Sequence, residues 1–479
     1  MGQKSRLKIL EAQVKELSAF RNESLLLQAE QVRLWSEKEA YYIATISDLQ
    51  SQLKKQAVQK TSSNSHKPPS TDLARKNQSL REKSGNPVGG QIGHKGFTLE
   101  MTDSPDKIEN LYPSYCNNCG ESLSESVFSQ VGRRQEKEIP LPQPIVTEYR
   151  CHSTTCKCGH HQMASYPDGI INHIQFGPNV QAVAVYNNIF QFLPFGRSQD
   201  YFAKVFNLNI SKATIENMIR RAAQKAKSAY ETLRQEIELS FFVGSDETGF
   251  KVNGSKHWFW VWQNSKLTYI VASDSRSKQV ISDVFPQGLP NSIVGSDRLA
   301  AQLSTLSKGK QVCLAHLLRD VEYLIKAEAH TWATEFKAFL KQALELKKSL
   351  LHYTENDPNV LQLEQLADKL LSPTIEVQLL EDSIANKDTL TFFRGMVKVR
   401  QFLLTFLYDE RIAGDNNGSE RAIRVVKIKT KISGQFKSLQ EAFAIIRSVV
   451  DTAIKNGMSP FDAIRAIIDL PTTEPVLSG

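Results

Sequence analysis

The first 58 residues carry apolar side chains at helical spacing, without Pro and, beyond Gly2, without Gly. The apolar positions are three or four residues apart and follow two registers separated by a break: Leu7, Leu10, Val14 and Leu17, then Val32, Trp35, Tyr42, Ile46, Leu49 and Leu53. This pattern predicts one long helix with a coiled-coil seam over residues 1–58. The seam is covered either by a second copy, giving a homo-oligomer, or by the protein's own body. We favour the oligomer because no apolar helix follows immediately.

The next segment is rich in Ser, Pro, Gly, Asn and Lys and has no apolar period, which predicts a flexible linker over residues 59–107. Residues 51–95 contain nine basic and two acidic side chains, so their net charge of +7 is nearly the whole +8 of the chain. The linker is either a solvated spacer or an arm that follows a phosphate backbone. Lys67 and Lys95 are its candidate DNA contacts.

Five of the six cysteines fall within residues 108–174, where a zinc-finger-like domain is predicted. Cys116 and Cys119 have the spacing of a zinc knuckle, and Cys156 with Cys158 gives a second pair. Two such pairs make a tetrahedral structural zinc site. Because the second pair is unusually tight, Cys151, His160 or His161 are alternatives to its members, and incidental thiols or a degenerate site remain the other interpretation.

The sequence pattern of residues 175–238 predicts several helices. The stretch 209–216 can open a helix with Ser211 as its cap and Glu216 near its positive end. A helix, a short turn and a capped second helix are typical of a DNA-binding helix-turn-helix, although any α-hairpin in a core gives the same pattern.

Residues 239–325 read as the first part of a catalytic core. Apolar, β-prone stretches predict three consecutive strands over 239–244, 257–262 and 267–271, then a helix and two strands over 292–297 and 311–316. In this ribonuclease-H-like order, the ends of the first and fourth strands lie side by side, and Asp246 and Asp297 occupy them. Each alone reads as a turn residue. Together they predict a site for magnesium or manganese, which prefer oxygen ligands.

A helical insertion is predicted over residues 326–410, and the second part of the core over 411–479. In the latter, Glu420, Arg424, Lys427 and Lys431 are spaced by four, three and four residues. One helix face would then present an acid followed by a basic stripe, suited to gripping a phosphodiester beside a metal. The alternative is an exposed helix with ordinary ion pairs.

Composition narrows the class of protein. The chain has 479 residues and a pI near 9.0, so it is too long for one core, and a polyanionic partner is worth testing. A run of 18 apolar residues is absent, and the N-terminus is charged throughout. We therefore expect a cytoplasmic protein without membrane contact, whose cysteines are thiols or metal ligands.

Together, the motifs resemble those of the insertion sequence 66 family of bacterial transposases over most of the chain. The motifs are these: Asn64-Ser65-His66-Lys67-Pro68-Pro69-Ser70-Thr71-Asp72, Gly89-Gly90-Gln91-Ile92-Gly93-His94-Lys95-Gly96, Asp246-Glu247-Thr248-Gly249 with His257-Trp258, Cys313-x2-His316, and Asp415-Asn416-Asn417-x2-Glu420-Arg421. Chance occurrence of all of them in this order is very improbable.

The resemblance implies a multidomain α+β protein with an N-terminal coiled-coil helix, a zinc-finger-like segment, a helical DNA-binding region and a ribonuclease-H-like catalytic domain with a helical insertion. It implies a DDE transposase whose triad is Asp246, Asp297 and Glu420, 51 and 123 residues apart. Two magnesium (or manganese) ions at the triad would serve cleavage and strand transfer, and a structural zinc would hold the cysteines. His316 would orient DNA or a carboxylate, or serve only as a structural histidine at a helix start.

The expected partners are double-stranded DNA, meaning the terminal repeats of the element and its target, and further copies of the chain. The protein would be nucleoid-associated when bound to DNA. A catalytically silent DNA-binding relative is the alternative function, and all three acids argue against it. A coiled-coil scaffold would explain only residues 1–58.

Overall fold

The computed structural model describes residues 3–57, 89–91, 93–96, 98–140, 142–328, 330–350, 352–354, 356–381 and 386–470. Lys67 and most of the predicted linker lie outside these residues. The chain forms two compact units. One contains the N-terminal segment to Asn77, Tyr166–Gln199 and Ile210–Gly479, and the other contains Gln78–Ser165 and Asp200–Asn209.

The predicted N-terminal helix is present as α1, Gln3–Ala57. Its apolar side chains are largely exposed, with Leu17 at 68% and Trp35 at 74% of full exposure. In a single chain, the described residues leave these seam positions uncovered.

The second unit contains a short antiparallel hairpin, β1 (Ser153–Thr155) and β2 (His161–Met163). The remaining described backbone of Gln78–Ser165 is irregular, apart from a bridge between Tyr115 and Ser122. Both cysteine pairs lie in turns of this unit.

The predicted helices between 175 and 238 are α2 (Pro178–Val185), α3 (Phe195–Val205) and α4 (Lys212–Glu238), and a π-helical turn, Tyr186–Phe190, follows α2. Ser211 caps α4 as predicted, because its hydroxyl accepts a hydrogen bond from the Thr214 N–H at 3.0 Å. The C-terminal half of α4 packs on the sheet described next: Tyr230 is buried and its hydroxyl donates to the Ile270 carbonyl at 2.8 Å. This half of α4 is therefore part of a core.

A five-stranded mixed sheet lies at the centre of the first unit. Its strands are β3 (Phe242–Val252), β4 (Ser255–Gln263), β5 (Thr268–Ser273), β6 (Leu289–Ser296) and β7 (Ser307–Val312). The strand order is β5-β4-β3-β6-β7, with β3, β4 and β5 antiparallel and β6 and β7 parallel to β3. Four of the five strands overlap the apolar runs that predict them. The fifth was expected over 311–316 but lies at Ser307–Val312, because a helix already begins at Leu314.

The first of these strands is longer than predicted. We expected it to end at Asp246, but it continues to Val252 because it pairs with β4 as far as Val252–Ser255. Its pairing with β6 stops at Gly244. Asp246 therefore lies within a strand, at the point where the strand has lost its neighbour on one side.

Helices cover the sheet and form the insertion. Their bounds are α5 (Lys278–Val284), α6 (Ala300–Leu303), α7 (Leu314–Ala327), α8 (Thr331–Ser349), α9 (Pro358–Leu370), α10 (Pro373–Glu381), α11 (Lys387–Val399), α12 (Asn417–Ser433), α13 (Gln440–Lys455) and α14 (Pro460–Asp469). Two short 3₁₀ turns, Arg400–Phe402 and Thr405–Leu407, follow α11. None of the described helices is long and apolar enough to cross a membrane.

Among the described residues, one apolar cluster packs on the central sheet and another lies in the insertion. One joins α4, α5 and the sheet around Trp260, Trp262 and Phe285. The other joins α7 to the helices of the insertion around Trp332, Phe336 and Phe393. Full burial of side chains of this size contributes several kcal/mol each relative to truncation. The second core packs α7 against β6 and β7 through Ile293 and Val312.

Candidate active site

Two aspartates meet at the carboxyl end of β6. Asp297 follows the last residue of β6, and Asp246 lies on the adjacent β3, two residues beyond the last β3–β6 pair. Both are partly buried. The two aspartates therefore lie on neighbouring strands, close enough for the charge of Asp297 to raise the pKa of Asp246.

The turn after β6 holds Asp297 in place. Arg298 has a φ of +71°, a left-handed conformation that costs a non-glycine residue free energy. Its guanidinium donates to Asp320 Oδ2 at 2.6 Å and lies over the Phe392 ring, which anchors the strained turn to α7 and α11. The contacts with Asp320 and Phe392 thus help to hold the strained turn.

Asn416, the residue before α12, links the elements of the site. Its side-chain amide donates to the Ser245 carbonyl at 2.7 Å and to Asp297 Oδ1 at 3.2 Å. Its backbone N–H points at Cys313 Sγ, 3.1 Å away. Because Glu420 lies in the first turn of α12, these contacts also fix where that carboxylate enters the site.

His316, in the first turn of α7, connects the second and third acids. Its Nδ1 lies 3.1 Å from Asp297 Oδ1, and its Nε2 lies 3.3 Å from Glu420 Oε1. Arg319, one turn further along α7, lies 3.0 Å from the same Nε2 and 3.4 Å from Glu420 Oε1. The two acids, 123 residues apart in sequence, therefore lie on opposite edges of one buried imidazole ring.

Charge at this site is poorly solvated. Burial raises the pKa of Asp246 well above its ordinary value, and the nearby carboxylates of Asp297 and Glu247 raise it further. For His316, burial lowers the pKa, but the interactions with Asp297 and Cys313 outweigh it and raise the pKa to about 10. Crowded carboxylates whose ionised form is disfavoured are suited to binding a cation, and oxygen donors fit magnesium or manganese.

Close backbone packing joins β3 to α12. A Cβ atom on Gly244 would lie 2.6 Å from Ser419 Oγ and 2.7 Å from Gln263 Nε2, so only glycine permits this approach. Gln263 is buried, and its amide lies between Ser419 Oγ at 3.3 Å and Lys455 Nζ at 3.0 Å. Burial lowers the pKa of Lys455 to about 8. These contacts support α12 one residue before Glu420.

The predicted basic stripe is exposed. Arg424, Lys427 and Lys431 are solvent-accessible on α12, and the positive charge of Lys427 acts to lower the pKa of Asp246. Lys95 is exposed in the other unit. The alternative interpretation is an exposed helix with ordinary i, i+4 ion pairs. Among the described ion pairs, however, none involves Arg424, Lys427 or Lys431.

The two cysteine pairs form similar turns. Gly120 follows the first pair and Gly159 the second, each with a positive φ, and the Gly120 and Gly159 N–H groups donate to the carbonyls of Cys116 and Cys156 at 2.8 Å. Backbone N–H groups of Cys119 and Cys158 are the main cause that lowers the thiol pKa of Cys116 and Cys156, respectively. Each turn thus stabilises thiolate at the first cysteine of its pair.

Among the described residues, the two pairs are not assembled into one group of four ligands. The one set of three or more candidate donors within 4.8 Å of one another there consists of Asp297, Cys313 and His316. Cys151, the alternative ligand, is partly buried and belongs to no such set.

Sequence reasoning missed several supporting residues. Arg319 could have been found from the sequence, because it lies three residues after His316 and therefore on the same helix face. Asn416 and Cys313 stood in recognised motifs, but their contacts with Asp297 and with each other depend on tertiary packing. The sequence gives only a weak indication of the role of Gln263, which is a polar residue at the end of a run of aromatic ones.

A family model describing the transposase IS66 family matches residues 173–444, which is more than half of the chain. The matched range includes both aspartates, His316 and Glu420. A comparison with curated proteins finds none that matches. The chain belongs to the IS66 family of transposases.

Proposed function

We propose that this transposase binds the terminal repeats of an insertion sequence and catalyses DNA strand cleavage and strand transfer as a DDE enzyme, with Asp246, Asp297 and Glu420 as its catalytic acids. The observation that carries the proposal is the convergence at His316, whose two ring nitrogens face Asp297 and Glu420 while Asp297 adjoins Asp246. The strand order supports a ribonuclease-H-like catalytic core.

The three acids would hold magnesium or manganese, in the two-ion arrangement the resemblance implies. When bound, such ions activate a water or 3′ hydroxyl as nucleophile and stabilise the leaving oxygen. The protein's own part is positional: Asn416 and Arg298 fix Asp297, while His316 and Arg319 fix Glu420. The exposed Arg424, Lys427 and Lys431 would offset phosphate charge along the bound strand.

The test of this proposal is nicking of a plasmid that carries the element's ends. We expect cleavage with magnesium or manganese and little with calcium, whose looser coordination suits catalysis poorly. A catalytically silent DNA-binding relative would bind the ends and give no nicks with any of the three ions. Comparing a plasmid without the ends separates specific from random nicking.

We further propose that Cys116, Cys119, Cys156 and Cys158 hold one structural zinc, with Cys151 as the alternative ligand. The support is the pair of matched turns, each of which favours a thiolate. The purified full chain should contain about one zinc per protomer at this segment, and Cys119→Ser should remove it. Zinc content unchanged by Cys119→Ser would contradict this ligand set.

The coiled coil is proposed to pair protomers through the apolar seam of α1. The support is the exposure of that seam along the helix, since uncovered apolar stripes of this length are uncommon in monomers. Deleting residues 1–58 should lower the molecular mass measured by sedimentation to that of a monomer. If the truncated protein still assembles with the same number of chains as the full-length protein, another surface makes the oligomer.

DNA contact is proposed for three regions: the linker with Lys67 and Lys95, the helical region 175–238, and the basic stripe of α12. In the helical region, Arg220, Arg221 and Lys227 are exposed on α4, away from its packed face. Lysine contacts to phosphates make binding sensitive to salt. Lys431→Ala should therefore weaken binding to any sequence and reduce the salt slope by about one.

A further inference from the structure

Cys313, His316 and Asp297 form a donor set of a different kind from the three acids. We propose that it is a second metal site, selective for zinc or another thiophilic ion, and that filling it inhibits magnesium-dependent cleavage. The inhibitory consequence rests on the proposed function, whereas the binding site rests on the geometry alone.

The spacing of the donor atoms fits a tetrahedral ion. His316 Nδ1 lies 3.3 Å from Cys313 Sγ and 3.1 Å from Asp297 Oδ1, and all three donors are within 4.8 Å of one another. Ligands bound to zinc at 2.0–2.3 Å in tetrahedral geometry are about 3.3–3.7 Å apart. The two donor pairs that involve Nδ1 therefore need to separate by only a few tenths of an ångström to admit the ion.

The groups around Cys313 and His316 suit a bound cation. Cys313 stands at the N-terminus of α7, and the Asn416 N–H points at its sulfur from 3.1 Å, so two dipoles present their positive ends to it. The other ring nitrogen of His316 faces Glu420 Oε1 at 3.3 Å and Arg319 at 3.0 Å. Zinc-bound histidines commonly orient their second nitrogen on a carboxylate in this way.

Thiolate and imidazole donors select zinc over magnesium, which prefers oxygen alone. An ion held by Cys313 and His316 would take Asp297 as its third ligand, and this carboxylate oxygen would then not be available to an ion at Asp246. Glu420 would at the same time keep its contact with Nε2 of His316. The two acids that must serve magnesium would thus be occupied, which is the physical reason to expect inhibition.

Binding can be measured without activity by using cobalt as the probe. In a full-length protein with Cys116, Cys119, Cys151, Cys156 and Cys158 replaced by Ser, Cys313 is the one remaining thiol. We expect a cobalt–thiolate charge-transfer band in this protein, and its loss when Cys313→Ser is added. Circular dichroism verifies that each protein is folded. A folded protein without the band, or a band that survives Cys313→Ser, overturns the site.

If the five-serine protein fails to fold, the same comparison is made between the native chain and its Cys313→Ser variant. The native chain should show one more cobalt-bound thiolate than the variant. Equal thiolate absorption in the two would overturn the proposal.

Inhibition is measured as the ratio of magnesium-dependent nicking with and without zinc, within each protein. Cys313→Ser should raise the zinc concentration needed for half-inhibition by at least about tenfold, since even losses outside the ligand set weaken metal binding about 10–100-fold. The matched control, Cys116→Ser, should leave that concentration unchanged. Equal zinc sensitivity of Cys313→Ser and wild type would refute competition at Asp297. Absence of nicking in the wild type would count against the proposed function while the cobalt spectra still decide the site.

Discussion

The Asp246→Asn variant is expected to bind DNA ends as the wild type does and to lose strand cleavage by at least about 10³-fold. The loss follows because a metal-based site contributes several kcal/mol to the transition state, and each 1.4 kcal/mol corresponds to a factor of ten. Asp297→Asn and Glu420→Gln should behave alike. Because residues that act as one unit are not additive, a double variant should lose little more than a single one.

The stability of Asp246→Asn distinguishes lost chemistry from lost folding. Burial raises the pKa of Asp246, which means that the folded state disfavours its charge. At pH 7 in magnesium-free buffer, removing that charge should therefore leave the free energy of unfolding unchanged or raise it. An inactive variant with a normal or higher unfolding midpoint is the expected combination.

Binding provides the complementary control. Gel-shift affinity of the three acid variants should stay near that of the wild type, while Lys431→Ala, on the same helix as Glu420, should bind more weakly. Cleavage at the wild-type rate by any one of the three acid variants would remove that residue from the triad.

The sequence predicted most strands of the sheet and the proximity of two aspartates. Apolar runs predicted β4, β5 and β6 closely, and the positions of Asp246 and Asp297 after two such runs predicted their proximity. The fifth strand was expected over 311–316 but lies at Ser307–Val312, a mostly polar segment, and residues 314–316 belong to α7. The end of β3 was predicted wrongly because the apolar run stops at Gly244, whereas the strand is prolonged by hairpin pairing with β4. Pairing partners, unlike local propensity, are not written in a single segment.

The support of the site depended on contacts that no local pattern encodes. Asn416 meets Ser245 and Asp297 across 171 and 119 residues, and Gln263 meets Ser419 across 156. For His316, the choice between orienting a carboxylate and a structural role could not be made from its position at a helix start. Its two ring contacts favour the orienting role.

The second large effect is expected from a single methyl group at Gly244. In Gly244→Ala, the new carbon would lie 2.6 Å from Ser419 Oγ and 3.1 Å from Asn416 Oδ1, closer than packed atoms tolerate. Gln263 cannot simply rotate away, because its amide is buried between Ser419 and Lys455. The N-terminus of α12 must then move outward from β3, carrying Glu420 with it.

Overpacking of this kind costs about 1–3 kcal/mol of unfolding free energy. A displacement approaching 1 Å at a catalytic group costs about 10²-fold in rate, so we expect Gly244→Ala to cleave DNA about a hundredfold more slowly while still folding. Cleavage rate and denaturant midpoint, measured on the same preparation, separate the two effects.

Gly395 is the matched control for this substitution. It lies within α11, and a Cβ there would meet nothing within 4 Å, so Gly395→Ala should raise the free energy of unfolding by about 0.5–1 kcal/mol and leave cleavage unchanged. If Gly244→Ala were as active and as stable as Gly395→Ala, the contact between β3 and α12 would have to yield without moving Glu420. The position of that acid would then depend on His316 and Arg319 alone, and Arg319→Ala would become the variant that displaces it.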